Sequence, residues 1–197
     1  RLDIVARALY SSAASDVYNR HVQDNTRAFF VESLGNPKLD VLDLKEIASY
    51  SKKAKVPFIV DNTVATPALL NPIEHGANIV IHSLTKYING NGTSLGGVVI
   101  DAGTFDYGNG LFPEFTEPSP GYHVLVYHEA LGPAAYIAKV RIEGLRDFGG
   151  ALSPFNSFQI IQGLETLSIR MNQHSKNALE IAQWLEAQEE VAWVNYP

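Results

Sequence analysis

Two stretches of the sequence gather residue types that could do covalent chemistry. Asp61 closes the apolar run Phe58–Val60, and Ser83-Leu84-Thr85-Lys86 lies just past a second apolar run, Ile79–Ile81. A carboxylate at the end of a buried strand is costly unless a cation or donor faces it. A lysine just after a buried strand, next to two hydroxyls, can shed solvent and act as an amine nucleophile. The Ser83 and Thr85 hydroxyls flank Lys86 at i−3 and i−1, where they could hold a phosphate. One cofactor needs all of these groups together. Pyridoxal phosphate requires a lysine for its aldehyde, an acid for its pyridinium nitrogen and donors for its phosphate. Spacing alone allows a second arrangement equally well, in which Asp61 and Lys86 form a structural ion pair and Ser83 caps a turn.

Other motifs point away from competing chemistries. Gly92-Thr93-Ser94-Leu95-Gly96 matches G-x-S-x-G, but a nucleophile elbow needs a strand before the serine and a helix after it. Here a loop precedes and an apolar run comes after, so the match reads as a glycine-rich turn. Gly90-x-Gly92 likewise precedes a strand rather than opening a helix, which rules out a dinucleotide fingerprint. The histidines at 21, 75, 82, 123, 128 and 174 show no metal-ligand spacing, and His128-Glu129 lacks a second histidine four residues on. No metal site is expected.

The absence of cysteine excludes a disulfide scaffold, a thiolate zinc site and a catalytic thiol. It suits a reducing compartment, and a cytoplasmic location is the expectation. A formal charge of −6 disfavours a nucleic-acid partner. No uncharged apolar stretch reaches the roughly 18 residues of a membrane span, so no membrane partner is expected either. With 197 residues, 46% apolar and 18% charged, the chain has room for one globular domain and the start of a second.

The elements that must position Asp61 and Lys86 can be read from hydrophobic patterning. Arg1–Asn19 is rich in Ala and Ser, with helix-like spacing at Ile4, Ala8 and Leu9 and no strand signal. Apolar runs at Ala28–Glu32, Phe58–Val60, Ile79–Ile81 and Gly96–Ile100 predict strands. Between them, Asp40 could cap a helix with Leu44, Ile47, Ala48 and Ala54 on one face and Lys52, Lys53 and Lys55 in its last turn. A shorter helical pattern over Pro67–Gly76 stops at its glycine. This alternation predicts an α/β sheet, mostly parallel, with helices on its faces and its ligand at the carboxyl ends of the strands. The Gly- and Pro-rich stretch Gly108–Gly121 is long for a compact domain and suggests an active-site wall or a subunit contact. Leu131–Arg146 and Phe155–Arg170 read as helices. So does a segment with Ala178, Ile181, Ala182 and Leu185 on one face, and Val191–Tyr196 reads as a final strand.

The residues around the constellation resemble the Cys/Met-metabolism family of pyridoxal-phosphate enzymes. The matching segments are Phe30–Pro37, Val60-Asp61-Asn62-Thr63 with Thr66-Pro67, and Gly76–Tyr87, within which Ser-x-Thr-Lys-Tyr is highly specific. The resemblance runs from about Asp24 to Pro197. Stretches at Gly92–Gly97, Phe112–Thr116, Leu152–Phe158 and Gly163–Leu167 look most like the O-acetylhomoserine sulfhydrylase branch.

The resemblance implies the type I, aspartate-aminotransferase-like fold, incomplete in this chain, with pyridoxal 5'-phosphate as cofactor. Lys86 would hold it as a Schiff base, Asp61 would pair with its pyridine nitrogen, Ser83 and Thr85 would bind its phosphate, and Asn36 would contact its phenolic oxygen. The implied reaction is γ-replacement of O-acetylhomoserine by sulfide in a homo-oligomer, a tetramer in such enzymes. Cystathionine synthesis, γ-cleavage of cystathionine or methionine, and a catalytically inactive truncated chain are the alternatives. Residues 1–22 would be an N-terminal segment that could be discontinuous with the rest, 23–171 part of the cofactor-binding domain and 172–197 the start of a C-terminal one.

Several features depart from the family pattern. Asn91 stands where such enzymes usually carry histidine. The family's phosphate-cradling glycine pair and ring-stacking tyrosine have no counterpart before Asp24, and its carboxylate-binding arginine would lie beyond Pro197. Tyr18-Asn19-Arg20 resembles the family's Tyr-x-Arg, which reaches a neighbouring subunit's phosphate site. That match would imply a large segment absent between about Arg20 and Asp24. An unrelated polar helix end accounts for the three residues equally well.

Overall fold

The structure, a computed structural model, describes the backbone of residues 3–6 and all of residues 22–197. Tyr18 and Arg20 lie outside the described residues. Among the described residues, five strands form one sheet in chain order: β1 (Asp3–Ala6), β2 (Thr26–Glu32), β3 (Phe58–Asp61), β4 (Ile79–Ser83) and β5 (Gly97–Asp101). β1 to β4 run parallel and β5 returns antiparallel to β4. The connection from β4 to β5 holds one helical turn, too little for a crossover, so the chain re-enters the sheet at the end it left. β1 corrects the helical expectation at Ile4. Val5 and Ala6 pair with Phe29 and Phe30, and a neighbouring strand overrides a weak local pattern.

The middle strands form because Phe29, Val31, Phe58, Val60, Ile79 and Val80 are all buried, as in a sheet covered on both faces. One cover is the helix Leu44–Ala54, which buries Leu44 and Ile47. Asp43, not Asp40, caps it, accepting from the Glu46 N–H at 3.0 Å. Its C-terminus ends at Lys55 in the left-handed region (φ 57°), with Lys52 and Lys53 in the last turn facing the negative end of the helix dipole.

The Gly108–Gly121 stretch is largely exposed but sends Phe112 and Phe115 into the core. The ring of buried Tyr107, just before the stretch, packs against both Phe112 and Phe115, and a helical turn spans Pro113–Thr116. The helix expected over Leu131–Arg146 is interrupted at Gly132-Pro133 and resumes over 135–148. Two helices, Pro154–Glu165 and Leu167–Glu186, replace the single one expected over Phe155–Arg170, with Thr166 at the break. The second runs unbroken across residues 171 and 172. No strand forms at Val191–Tyr196, where no neighbouring strand among the described residues supplies hydrogen bonds. Among the described residues, no helix is long and apolar enough to cross a membrane.

Candidate active site

Sheet register brings the site together. Glu32 on β2 pairs with Asp61 on β3, and Asp61 pairs with Ile81 on β4. Ser83 lies two residues past Ile81, hence on the same face of the sheet. Glu32, Asp61 and Ser83 thus stand side by side at the carboxyl ends of three adjacent parallel strands, with Lys86 on the turn just beyond. They line one open cleft of about 770 Å³, together with Asn36, Thr63, Tyr87, Arg170 and His174.

Each side chain is set by local structure. Asp61 Oδ1 accepts the Thr63 N–H at 3.0 Å and the Thr63 hydroxyl at 2.5 Å, leaving Oδ2 for an incoming donor. The Thr63 hydroxyl in turn accepts the Ser83 N–H at 2.8 Å, tying the ends of β3 and β4 together. Beneath them Asn62 is fully buried. Its amide accepts from the Ser33 hydroxyl at 2.7 Å and donates to the Leu70 carbonyl at 2.8 Å. His82, on the opposite face of β4, is also buried, with Nδ1 donating to the Asn62 carbonyl at 3.0 Å. Burial lowers its pKa below the usual 6.5, and the hydrogen bond and the nearby Asp61 charge only partly oppose this. Asn36 lies at the mouth, its N–H donating to Glu32 Oε2 at 2.8 Å.

Lys86 sits in a helical turn, Leu84–Ile88, whose backbone departs from helical values at Lys86 itself (φ −88°, ψ −126°). Leu84 and Ile88, on either side of it, pack into a small apolar cluster with Ile160, Leu167 and Met171. The flanks are thereby anchored while the Lys86 side chain is exposed to the cleft. Among the described residues its amine makes no hydrogen bond or ion pair, so the structural Asp61–Lys86 pair does not form.

Of the residues expected at the site, the structure gathers Lys86, Asp61, Ser83 and Asn36. Thr85 stands apart: its hydroxyl donates to the Gly96 carbonyl at 3.3 Å and accepts the Gly96 N–H at 3.0 Å, and it does not line the cleft. Asn91 is exposed outside the cleft lining. Ser94, the serine of G-x-S-x-G, is buried with its hydroxyl donated to Gln159 at 2.6 Å. Glu32, Thr63, Arg170 and His174 were not expected. The Asp-x-Thr spacing is a sequence signal for Thr63, since an Asp side chain commonly accepts the N–H two residues on. Arg170 and His174 have no such signal, as they reach the cleft from a helix far along the chain.

The donor set fits pyridoxal phosphate. Among the described residues, an unpartnered amine, a carboxylate oxygen held open and a free serine hydroxyl converge on a cleft wide enough for a substituted ring.

Comparison with known proteins agrees with this chemistry. Residues 3–197 match the family model described as Cys/Met metabolism PLP-dependent enzyme. The chain is 50% identical over 188 residues to an O-acetyl-L-homoserine sulfhydrylase from Leptospira meyeri, covering 91% of this chain and 42% of that protein. It is 46% identical over 201 residues to a homocysteine/cysteine synthase from Kluyveromyces lactis, covering all of this chain and 45% of that one. The latter alignment is only slightly longer than the chain's 197 residues, so it holds no large insertion between Arg20 and Asp24.

A crystal structure from Campylobacter jejuni, described as an O-acetylhomoserine (thiol)-lyase with N'-pyridoxyl-lysine-5'-monophosphate, superposes with a TM-score of 0.87 at 40% identity. That match covers 92% of this chain and 45% of the other. The metB structure from Corynebacterium glutamicum superposes at 0.71 with 30% identity, over 96% and 41% of the two chains. The fold is therefore the type I PLP-dependent one, a mixed sheet covered by helices. The chain spans less than half the length of each of these relatives.

Proposed function

Because the chain belongs to the Cys/Met metabolism PLP-dependent enzyme family, we propose that it forms the cofactor-binding part of an enzyme that converts O-acetylhomoserine and sulfide to homocysteine and acetate. The observation that carries this reading is the convergence of Lys86, Asp61 and Ser83 on one cleft, each with a functional atom unpartnered among the described residues. Bound pyridoxal phosphate would supply an electron sink that eases loss of the proton next to the substrate's amino group.

The residues would divide the work. Lys86 would hold the cofactor's aldehyde carbon through its amine and would also move the proton at the substrate's α-carbon. Asp61 Oδ2 would accept the ring N–H, fixed in direction by the two Thr63 bonds on Oδ1. Ser83 would donate to the phosphate and Asn36 to the phenolic oxygen. The open cleft admits a small amino acid. In the net reaction the bond from the γ-carbon to the acetate oxygen breaks and a bond to sulfur forms. The choice of sulfide and of the acetyl ester is supported by the Leptospira and Kluyveromyces relatives.

The test measures turnover of O-acetylhomoserine by the protein that carries this chain, with sulfide, with cysteine, or with no added thiol. Faster homocysteine formation with sulfide is expected. Faster cystathionine formation with cysteine would reassign the protein as a cystathionine synthase. Preferred breakdown of cystathionine or methionine would make it a lyase, and no turnover would leave a cofactor-binding chain without activity.

A further inference from the structure

We propose that Arg170 is a positioning residue that locks the turn bearing Lys86 against the helix break at Thr166; this rests on the reading of Lys86 as the reacting amine. Three independent features meet at this guanidinium. First, its nitrogens donate to four acceptors on two elements. On the lysine turn, Nη1 reaches the Tyr87 carbonyl at 2.7 Å and Nη2 the Ile88 carbonyl at 3.3 Å. On the helix side, Nη2 reaches the Gly163 carbonyl at 2.7 Å and Nε the Thr166 hydroxyl at 3.1 Å. The planar fork suits this, because one rigid group can hold several carbonyls whose positions are then mutually fixed.

Second, the two glycines at the contact leave room for it. A Cβ at Gly90 would lie 2.4 Å from Arg170 Nη1, and Gly90 is in the left-handed region at φ +71°. A Cβ at Gly163 would lie 2.0 Å from the Asn89 carbonyl oxygen, so the helix approaches the turn backbone to backbone. Third, no carboxylate pairs with Arg170 among the described residues; its donors go to backbone carbonyls and one hydroxyl. The carbonyls of Tyr87 and Ile88 come directly after Lys86, so holding them limits how far the turn can rotate its amine. Meanwhile the turn's own bonds, Asn89 N–H to Leu84 and Gly90 N–H to Lys86 at 3.0 and 2.8 Å, report whether it stays closed.

The experiment uses the protein free of cofactor, with Arg170→Met, Arg170→Lys and Thr166→Val. Amide exchange is monitored at Asn89 and Gly90, and reductive methylation of Lys86 is measured relative to Lys176, a lysine exposed farther along the same helix. In Arg170→Met, exchange at Asn89 and Gly90 should rise at least tenfold and the Lys86-to-Lys176 labelling ratio should change at least threefold, with the central strands unaffected. Arg170→Lys keeps the charge but loses the fork, and should recover less than half of the protection. Unchanged exchange and labelling in Arg170→Met would overturn the proposal. If that variant unfolds throughout, Thr166→Val decides. A severalfold rise at Asn89 and Gly90 without loss of thermal stability supports the lock, and no change refutes it. Uptake of pyridoxal 5'-phosphate by the native chain is measured alongside. Failure of uptake with a loosened turn would defeat the cofactor reading alone, and uptake with an unaltered turn would defeat the lock alone.

Discussion

Gly163→Ala tests the contact on which the Lys86 turn rests. Gly163 is buried inside the helix Pro154–Glu165, where alanine would ordinarily add up to about 1 kcal/mol of helix stability. Here the added carbon would meet the Asn89 carbonyl oxygen at 2.0 Å, roughly 1.3 Å inside the closest ordinary carbon–oxygen approach of about 3.3 Å. Asn89 cannot yield easily. It is fully buried, its N–H is bonded to Leu84, and its side-chain amide donates to the Ser94 carbonyl at 3.2 Å. The helix must therefore back away. A retreat of that size carries the Gly163 carbonyl away from Arg170 Nη2, which donates to it at 2.7 Å, and beyond hydrogen-bonding reach. Overpacking costs about 1–3 kcal/mol and loss of charged hydrogen bonds adds about 1–2 kcal/mol, against which the helix gain is subtracted. The expected net destabilisation is about 1–4 kcal/mol, a fall in midpoint of up to about 10 °C. Urea titration of Gly163→Ala beside Gly144→Ala measures it. At Gly144 the nearest atom to an added Cβ is 4.0 Å away, so that variant should gain about 0.5–1 kcal/mol. A neutral or stabilised Gly163→Ala would refute the close approach.

Three other perturbations probe the site's support. Asn62→Ala strands the Ser33 hydroxyl and the Leu70 carbonyl and should cost about 2–4 kcal/mol in urea titration, whereas a loss below about 1 kcal/mol would mean those bonds contribute little. Burial lowers the His82 pKa in the folded chain, so as pH falls the unfolded chain takes up this proton first. Stability should therefore be flat above about pH 6.5 and fall as pH drops below it, and His82→Gln should flatten that limb; equal slopes in both proteins would remove His82 as its source. Asp61→Asn, in the protein that carries this chain, should keep cofactor content within about twofold while turnover falls on the order of 10²-fold, because the charge acts chiefly on the transition state; near-normal turnover would reject the role.

Legibility in the sequence tracks the physical range of each interaction. β2 to β5 could be read because each is a short apolar run between turn signals, and Asp61 and Ser83 because strand ends expose whatever ends the run. β1 was not, because four residues with helix-like neighbours become a strand only beside β2. Nor was the direction of β5, which depends on the course of the connection rather than on the strand. Asp40 and Asp43 offer the same capping chemistry three residues apart, and only geometry selects Asp43. The Ser-x-Thr-Lys spacing could not reveal that the Thr85 hydroxyl turns to Gly96 instead of the cleft. Arg170 lies more than 80 residues from the Tyr87 and Ile88 carbonyls, beyond any local pattern.

Lys86 as the amine that takes the cofactor is the central claim. Borohydride reduction of the protein loaded with pyridoxal 5'-phosphate, followed by peptide mapping, tests it directly. One pyridoxyl group per chain, on Lys86, is the expected result. A label on Lys139 or Lys176, or one scattered among the surface lysines, would contradict it.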